Sequence, residues 1–82
     1  MSYLDNLILA CKNDARVYRA FKQMREAIAA GFVNVPSGAA IDAITLVQME
    51  HDETYEQAPI GAGKLTPRRK VFDALWAHFN QQ

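Results

Sequence analysis

Apolar side chains recur every three or four residues between positions 17 and 28 of the chain. Val17, Phe21, Met24 and Ile28 follow one another at spacings of four, three and four residues, which places them on one face of an α-helix. A half-buried strand would instead need an apolar residue at every second position. The segment therefore predicts an amphipathic helix, which has to bury this face against other parts of the chain.

Capping residues mark both ends of this helix. Asp14 precedes it as an N-cap whose carboxylate can accept backbone N–H groups, and Gly31 follows it as a residue suited to the left-handed helix end. A helix is therefore predicted over residues 14–30. In residues 32–35, Phe-Val-Asn-Val, one polar residue lies among apolar ones before a proline. They are interpreted as an extended connector that places Phe32 and one valine in the core.

Two more amphipathic segments lie near the ends of the sequence. Ser2 and Asp5 have the spacing of a capping box, and the apolar stripe after them predicts a helix over residues 3–12. Further along, Thr66 is a candidate N-cap and the proline after it suits the first helical position, which predicts a helix over 67–79. The apolar face of this last helix is rich in aromatic residues: Val71, Phe72, Leu75, Trp76 and Phe79.

The segment over residues 38–56 fits two patterns. Its residues 44–47, Ile-Thr-Leu-Val, are rich in β-branched side chains that also suit a strand. Such a strand would have only residues 32–35 as a partner, so a helix over 38–56 capped by Ser37 is favoured. Its expected inner face and the two residues that widen it are Ile41, Ile44, Val47 and His51, with Leu46 and Met49.

Together these segments predict an all-α fold, a compact bundle of about four helices that forms a single domain over residues 1–82. A chain of 82 residues has no room for a second core. Half of its residues are apolar, which excludes a disordered tail. Because so short a chain buries a modest share of its surface, a homodimer is left open as a source of additional stability.

The sequence also bears on location. The first residues, Met-Ser-Tyr-Leu-Asp, carry an acid where a secretory signal carries basic residues. The longest strongly apolar run, residues 7–11, is far shorter than the about 20 residues that cross a bilayer. Cys11 is the only cysteine and lies on an apolar stripe, so a buried, inert thiol is expected. A cytoplasmic protein without a membrane segment is the expectation.

No pattern of catalytic or ligand-binding residues stands out. Residues 61–66, Gly-Ala-Gly-Lys-Leu-Thr, lack the first glycine of a phosphate-binding loop and the hydroxyl directly after the lysine. Residues 50–53 could offer oxygens to a metal, but no second His or Cys lies at ligand spacing, and His78 is far along the chain. We therefore expect no catalytic residues, no cofactor and no metal, and a chain that is not an enzyme.

The charges balance overall but are segregated along the chain. Nine Lys and Arg residues match nine Asp and Glu residues, which excludes a histone-like protein and an acidic tail. Residues 1–36 carry five basic and three acidic groups, a net of +2. Residues 37–58 carry five acids and no Lys or Arg, a net of −5, and residues 59–82 carry four basic groups and one acid, a net of +3.

The acidic centre is the predicted partner-binding surface. Without a catalytic pattern, the sequence favours a small non-enzymatic helical interaction module, a regulator, inhibitor or adaptor that binds a protein partner through a charged helix face. The residues expected to contact that partner are Glu50, Asp52, Glu53 and Glu56.

The basic ends suggest an alternative function, in which the chain binds nucleic acid through phosphate contacts. One basic cluster lies in the first turn of the last helix, where the helix dipole disfavours cations, so it contributes nothing to helix stability. The residues expected to bind nucleic acid are Arg16, Arg19, Lys22 and Arg25 on the second helix and Arg68, Arg69 and Lys70 on the last helix.

The same region resembles a known type of DNA-binding domain. Residues 65–73, Leu-Thr-Pro-Arg-Arg-Lys-Val-Phe-Asp, are similar to the opening helix of the winged-helix and helix-turn-helix domains of the SOS repressor family and of response-regulator effector domains. The resemblance covers about a tenth of the chain and consists largely of ordinary helix-start residues. It implies a recognition helix after this one, which the sequence does not contain, and no family is assigned.

Overall fold

The computed structural model describes residues 2–34, 37–54 and 65–81. Within these ranges the chain forms four α-helices and no strand, so the predicted all-α bundle is confirmed. Residues 44–47 are helical, which rejects the strand alternative. Residues 55 and 56, the predicted end of the third helix, lie outside the described residues. The helices are α1 (Tyr3–Lys12), α2 (Ala15–Ala29), α3 (Gly38–Thr54) and α4 (Leu65–Asn80).

Side-chain caps begin α1 and α2 as predicted. The Ser2 hydroxyl accepts the backbone N–H of Asp5 at 3.1 Å. The Asp14 carboxylate accepts the backbone N–H groups of Arg16 and Val17 at 2.8 and 3.4 Å. These groups have no acceptor within the helix, so each cap satisfies donors that the first turn leaves open.

A Schellman motif ends α2. Gly31 has φ of +84°, its N–H bonds to the carbonyl of Ile28, and the N–H of Phe32 bonds to the carbonyl of Ala27, both at 3.0 Å. The predicted left-handed glycine is confirmed. The predicted burial of Phe32 is wrong, because its side chain is 66% exposed. Val33 is 94% exposed, and Val35, the other valine of the connector, lies outside the described residues. The two backbone bonds hold Gly31 and Phe32 at the end of α2.

The beginning of α4 also differs from the prediction. The helix begins at Leu65, two residues before the predicted position, so the predicted N-cap Thr66 lies inside the helix. Pro67 is the third residue of α4 instead of the first. The proline is still compatible with the helix, because N–H groups of the first turn have no acceptor within it.

The core takes one buried stripe from each helix. The ring of Phe21 lies 5.3 Å from that of Phe72 and 5.4 Å from that of Phe79, measured between centroids, which is the usual separation of packed aromatic pairs. Cys11 is completely buried, as predicted. The buried apolar residues are Leu7, Cys11, Val17, Ala20, Phe21, Met24, Ala40, Ala43, Ile44, Val47, Val71, Leu75 and Phe79.

The buried face of α3 contains fewer large apolar residues than the sequence predicts. Ile44 and Val47 are buried as predicted, but the face is completed by Ala40, Ala43 and the polar Gln48. Ile41, Leu46 and Met49 lie at other helical positions of α3 and are exposed, although the sequence predicts them in the core. Ile28 on α2, also predicted in the core, is 47% exposed.

Candidate partner-binding grooves

Glu50, one residue of the predicted acidic surface, forms an ion pair within the chain. The guanidinium of Arg16 donates to both oxygens of Glu50, at 2.9 and 2.8 Å, and also contacts the carboxylate of Asp14. Hydrogen bonds from Arg16 lower the pKa of Glu50 and of Asp14, and the bond to Glu50 raises the pKa of Arg16. One predicted acidic residue and one predicted basic residue therefore pair with each other across α2 and α3.

Asp52 belongs to a second polar contact, which is partly buried. The Tyr3 hydroxyl donates to Asp52, Gln48 Nε2 donates to the Tyr3 hydroxyl at 3.4 Å, and Arg68 Nε donates to Gln48 Oε1 at 3.3 Å. Burial, reinforced by the bond to Asp52, raises the pKa of Tyr3 to about 12. These four residues, here called the Tyr3 network, connect α1, α3 and α4.

The role of Gln48 was missed in the sequence. Its side chain is 2% exposed, because it lies on the same helical face as Ile44 and Val47. The available signal was a polar residue one turn after Ile44, a position that the helical period directs inward. Of the other predicted acids, Glu53 is exposed and Glu56 lies outside the described residues.

The basic residues of α2 do not form one surface. Arg16 and Arg19 line a groove of about 440 Å³ between α2 and α3. Lys22 and Arg25 line a different groove, between α2 and α4. Arg25 also donates to the carbonyl of Phe79 at 3.1 Å. This carbonyl lies in the last turn of α4, where a positive charge is stabilising.

The basic cluster of α4 is divided in a similar way. Arg68 belongs to the Tyr3 network, and with Arg69 it lines a third groove of about 400 Å³ beside Ile41 and Phe72. Lys70 is exposed and is not part of that lining. The seven predicted nucleic-acid contacts are therefore distributed over three grooves and an outer helix face.

The groove between α2 and α4 has about 580 Å³ and is the largest of the three. Tyr18 and Ile28 contribute side chains that are 46% and 47% exposed, and Trp76 is partly buried against Phe21. The ring of Tyr18 meets that of Phe79 edge-on at 5.8 Å. We call this the α2–α4 groove, which is lined by Tyr18, Lys22, Arg25, Glu26, Ile28, Ala29, Trp76 and Asn80.

Other candidate chemistry is limited in the part of the chain that the structure describes. In those residues no three His, Cys, Asp or Glu side chains lie together in a way that could hold a metal ion. None of the helices found there is long and apolar enough to cross a membrane. Burial raises the pKa of Cys11 to about 12. Residues 61–64, which belong to the segment that lacks the phosphate-binding motif, lie outside the described residues.

Comparison of the chain with models of known protein families, with curated proteins and with solved structures finds no match in any of the three. The function is therefore inferred from the geometry of the helices.

Proposed function

We propose that this chain is a small non-enzymatic helical module that binds a protein partner, and that the α2–α4 groove receives an acidic amphipathic helix of that partner. One observation carries the proposal: Tyr18, Ile28 and Trp76 line a groove together with Lys22 and Arg25. Trp, Tyr and Arg are the residues that most often dominate the energy of protein–protein binding.

The length of the groove suits a short helix. Along α2 its lining extends from Tyr18 to Ala29, which is about 16 Å at the rise of an α-helix. A partner helix crossing this distance presents apolar residues at i, i+3 or i+4, and i+7, the spacing used when amphipathic helices bind in grooves.

Charge selects the class of partner. Lys22 and Arg25 contribute two cations, and Glu26 is the one acid in the lining. An acidic helix is therefore complementary to this groove and a basic helix is not. Because these charges are exposed, they act mainly on the rate of encounter and the choice of partner, and the apolar contacts supply most of the affinity.

Trp76 makes the proposal directly testable, because it is the only tryptophan of the chain. We expect its emission to shift when the protein is titrated with a synthetic helical peptide that carries leucines on one stripe and glutamates beside them. Binding should weaken as salt rises from about 50 to 300 mM. The control peptide, with lysine in place of each glutamate, should bind at least about tenfold more weakly.

Two protein variants locate the contact. Lys22→Glu should abolish the preference for the acidic peptide, whereas Lys70→Glu, a matched reversal of an exposed lysine outside the groove, should leave it unchanged. Equal affinity for the two peptides, or no effect of Lys22→Glu, would contradict the proposal. If neither peptide binds and the protein instead binds duplex or single-stranded nucleic acid with a steep salt dependence, the nucleic-acid alternative replaces it.

A further inference from the structure

The outer face of α3 has the composition that the α2–α4 groove is proposed to recognise. Leu46 and Met49 lie on this face and are 47% and 59% exposed. Asp42 and Glu53 extend the same face, because the four residues follow at spacings of four, three and four. Both acids are exposed. We call these four residues the acidic stripe.

We infer that a second copy of this chain is an occupant of the groove, with the acidic stripe of one copy docking into the α2–α4 groove of another. The inference rests on the proposed function, because it uses the same groove. The proposed partner is the chain itself, which is present wherever the protein is. The inference also adds regulation of partner binding, because an external acidic helix would have to displace the stripe from the groove.

The two surfaces agree in length and in charge. From Asp42 to Glu53 the stripe extends about 16 Å, the same distance as the groove lining from Tyr18 to Ala29. Residues 37–58 contain no Lys or Arg. The cations beside the stripe belong to α2, where Arg16 and Arg19 line a groove together with Asp42 and Leu46.

Charge also decides how two copies meet. A symmetric contact of stripe with stripe would bring Asp42 and Glu53 of both copies together. A contact of groove with groove would bring together two linings in which Lys22 and Arg25 outnumber Glu26. Both arrangements are disfavoured because like charges face each other. Stripe in groove is the arrangement that pairs opposite charges, and it is heterologous, because the two copies contribute different surfaces.

Complementary variants test this arrangement. In the stripe variant, Met49→Ala with Glu53→Lys, the groove is unchanged. In the groove variant, Lys22→Glu with Ile28→Ala, the stripe is unchanged. All four side chains are exposed, so circular dichroism should show the wild-type helix content. The matched control, Leu9→Ala with Asp73→Lys, makes the same kind of change at exposed positions outside both surfaces.

Sedimentation equilibrium at about 50 mM salt, where exposed charges are least screened, is the measurement. The average mass of the wild type and of the control should rise with concentration up to about 0.5 mM, within reach of contacts with millimolar dissociation constants. Each variant alone should associate at least about tenfold more weakly. An equimolar mixture of the two variants should form a 1:1 complex, because one intact stripe meets one intact groove.

A wild type that remains monomeric over this range would overturn the inference, as would a mixture of variants that does not associate, or a control that loses association as fully as the stripe variant. The stripe variant separates this failure from failure of the proposed function. If it binds the acidic peptide with a shift in Trp76 emission, the groove is a binding site and only self-association is wrong. If it binds no peptide, the proposed function fails with it.

Discussion

Glu50 and Asp52 are two residues apart on α3, yet the contacts they make differ in kind. Glu50 meets Arg16 at the surface, where the two side chains are 61% and 40% exposed. Asp52 accepts a hydrogen bond from Tyr3 in the partly buried Tyr3 network. Water and salt screen the first contact, whereas a lower local dielectric strengthens the second. We therefore expect two acids that look alike in the sequence to contribute unequally to stability.

The largest effect is expected where the Tyr3 network is most buried. Gln48→Ala removes a side chain that is 2% exposed, leaves a cavity, and deprives Tyr3 and Arg68 of their bonds to it. We expect the free energy of unfolding to fall by about 2 kcal/mol or more in chemical denaturation. Gln23→Ala, at an exposed glutamine of α2, is the control and should change it by less than about 0.5 kcal/mol. Similar values for both variants would show that the network does not stabilise the bundle.

A smaller loss is expected from the hydroxyl of Tyr3 alone. Tyr3→Phe keeps the ring but removes the donor to Asp52 and the acceptor for Gln48, and should cost about 1 to 2 kcal/mol. Tyr18→Phe, at a tyrosine that is 46% exposed, should cost less than about 0.5 kcal/mol. An equal cost for the two variants would show that the loss of any tyrosine hydroxyl has this effect, and that the Tyr3 network adds nothing to it.

The hydrogen bond from Tyr3 to Asp52 should also affect how stability depends on pH in the alkaline range. The pKa of Tyr3 is raised from 10.0 to about 12, so the unfolded chain loses this proton first. The contribution of Tyr3 to stability is therefore fully present below pH 10 and is lost as the pH rises through about 12. Tyr3→Phe should show a smaller fall than the wild type, with the remainder arising from Cys11, whose pKa is also raised. An identical fall in both proteins would contradict the assignment.

The smallest effect is expected at the surface pair. A double-mutant cycle of Arg16→Ala and Glu50→Ala should give a coupling energy below the cost of Tyr3→Phe, and about 0.5 M salt should largely remove it. The pKa of Glu50 is lowered by Arg16, so the contribution is present above the ordinary value of 4.5 and is lost as the pH falls through the lowered value. The control is the single variant Glu53→Ala, which removes another exposed acid of α3. A coupling that resists salt would remove the contrast between the two contacts.

Local signals in the sequence predicted most of the fold. Helix caps act on backbone groups within about four residues. The caps at Ser2 and Asp14 and the left-handed Gly31 can therefore be predicted from the residues next to them. Contacts between distant residues could not be predicted in this way. Arg16 and Glu50 are 34 positions apart, and their pairing depends on how α2 lies against α3.

The candidate site was predicted only in part for the same reason. Lys22 and Arg25 were identified as candidate binding residues, but Ile28 and Trp76 were assigned to the core on their helical spacing. Spacing shows which face a residue occupies and not whether a neighbouring helix covers it. Ile28 lies in the last turn of α2, where α4 leaves it 47% exposed.

The complete burial of Cys11 has a consequence for any assembly of this chain. Disulfide exchange requires a thiolate, and burial, which raises the pKa of Cys11 to about 12, keeps this thiol protonated at neutral pH. Since Cys11 is the only cysteine and is buried, folded copies have no accessible thiol through which a disulfide could link them. Disulfide cross-linking through Cys11 therefore plays no part in contacts between folded copies.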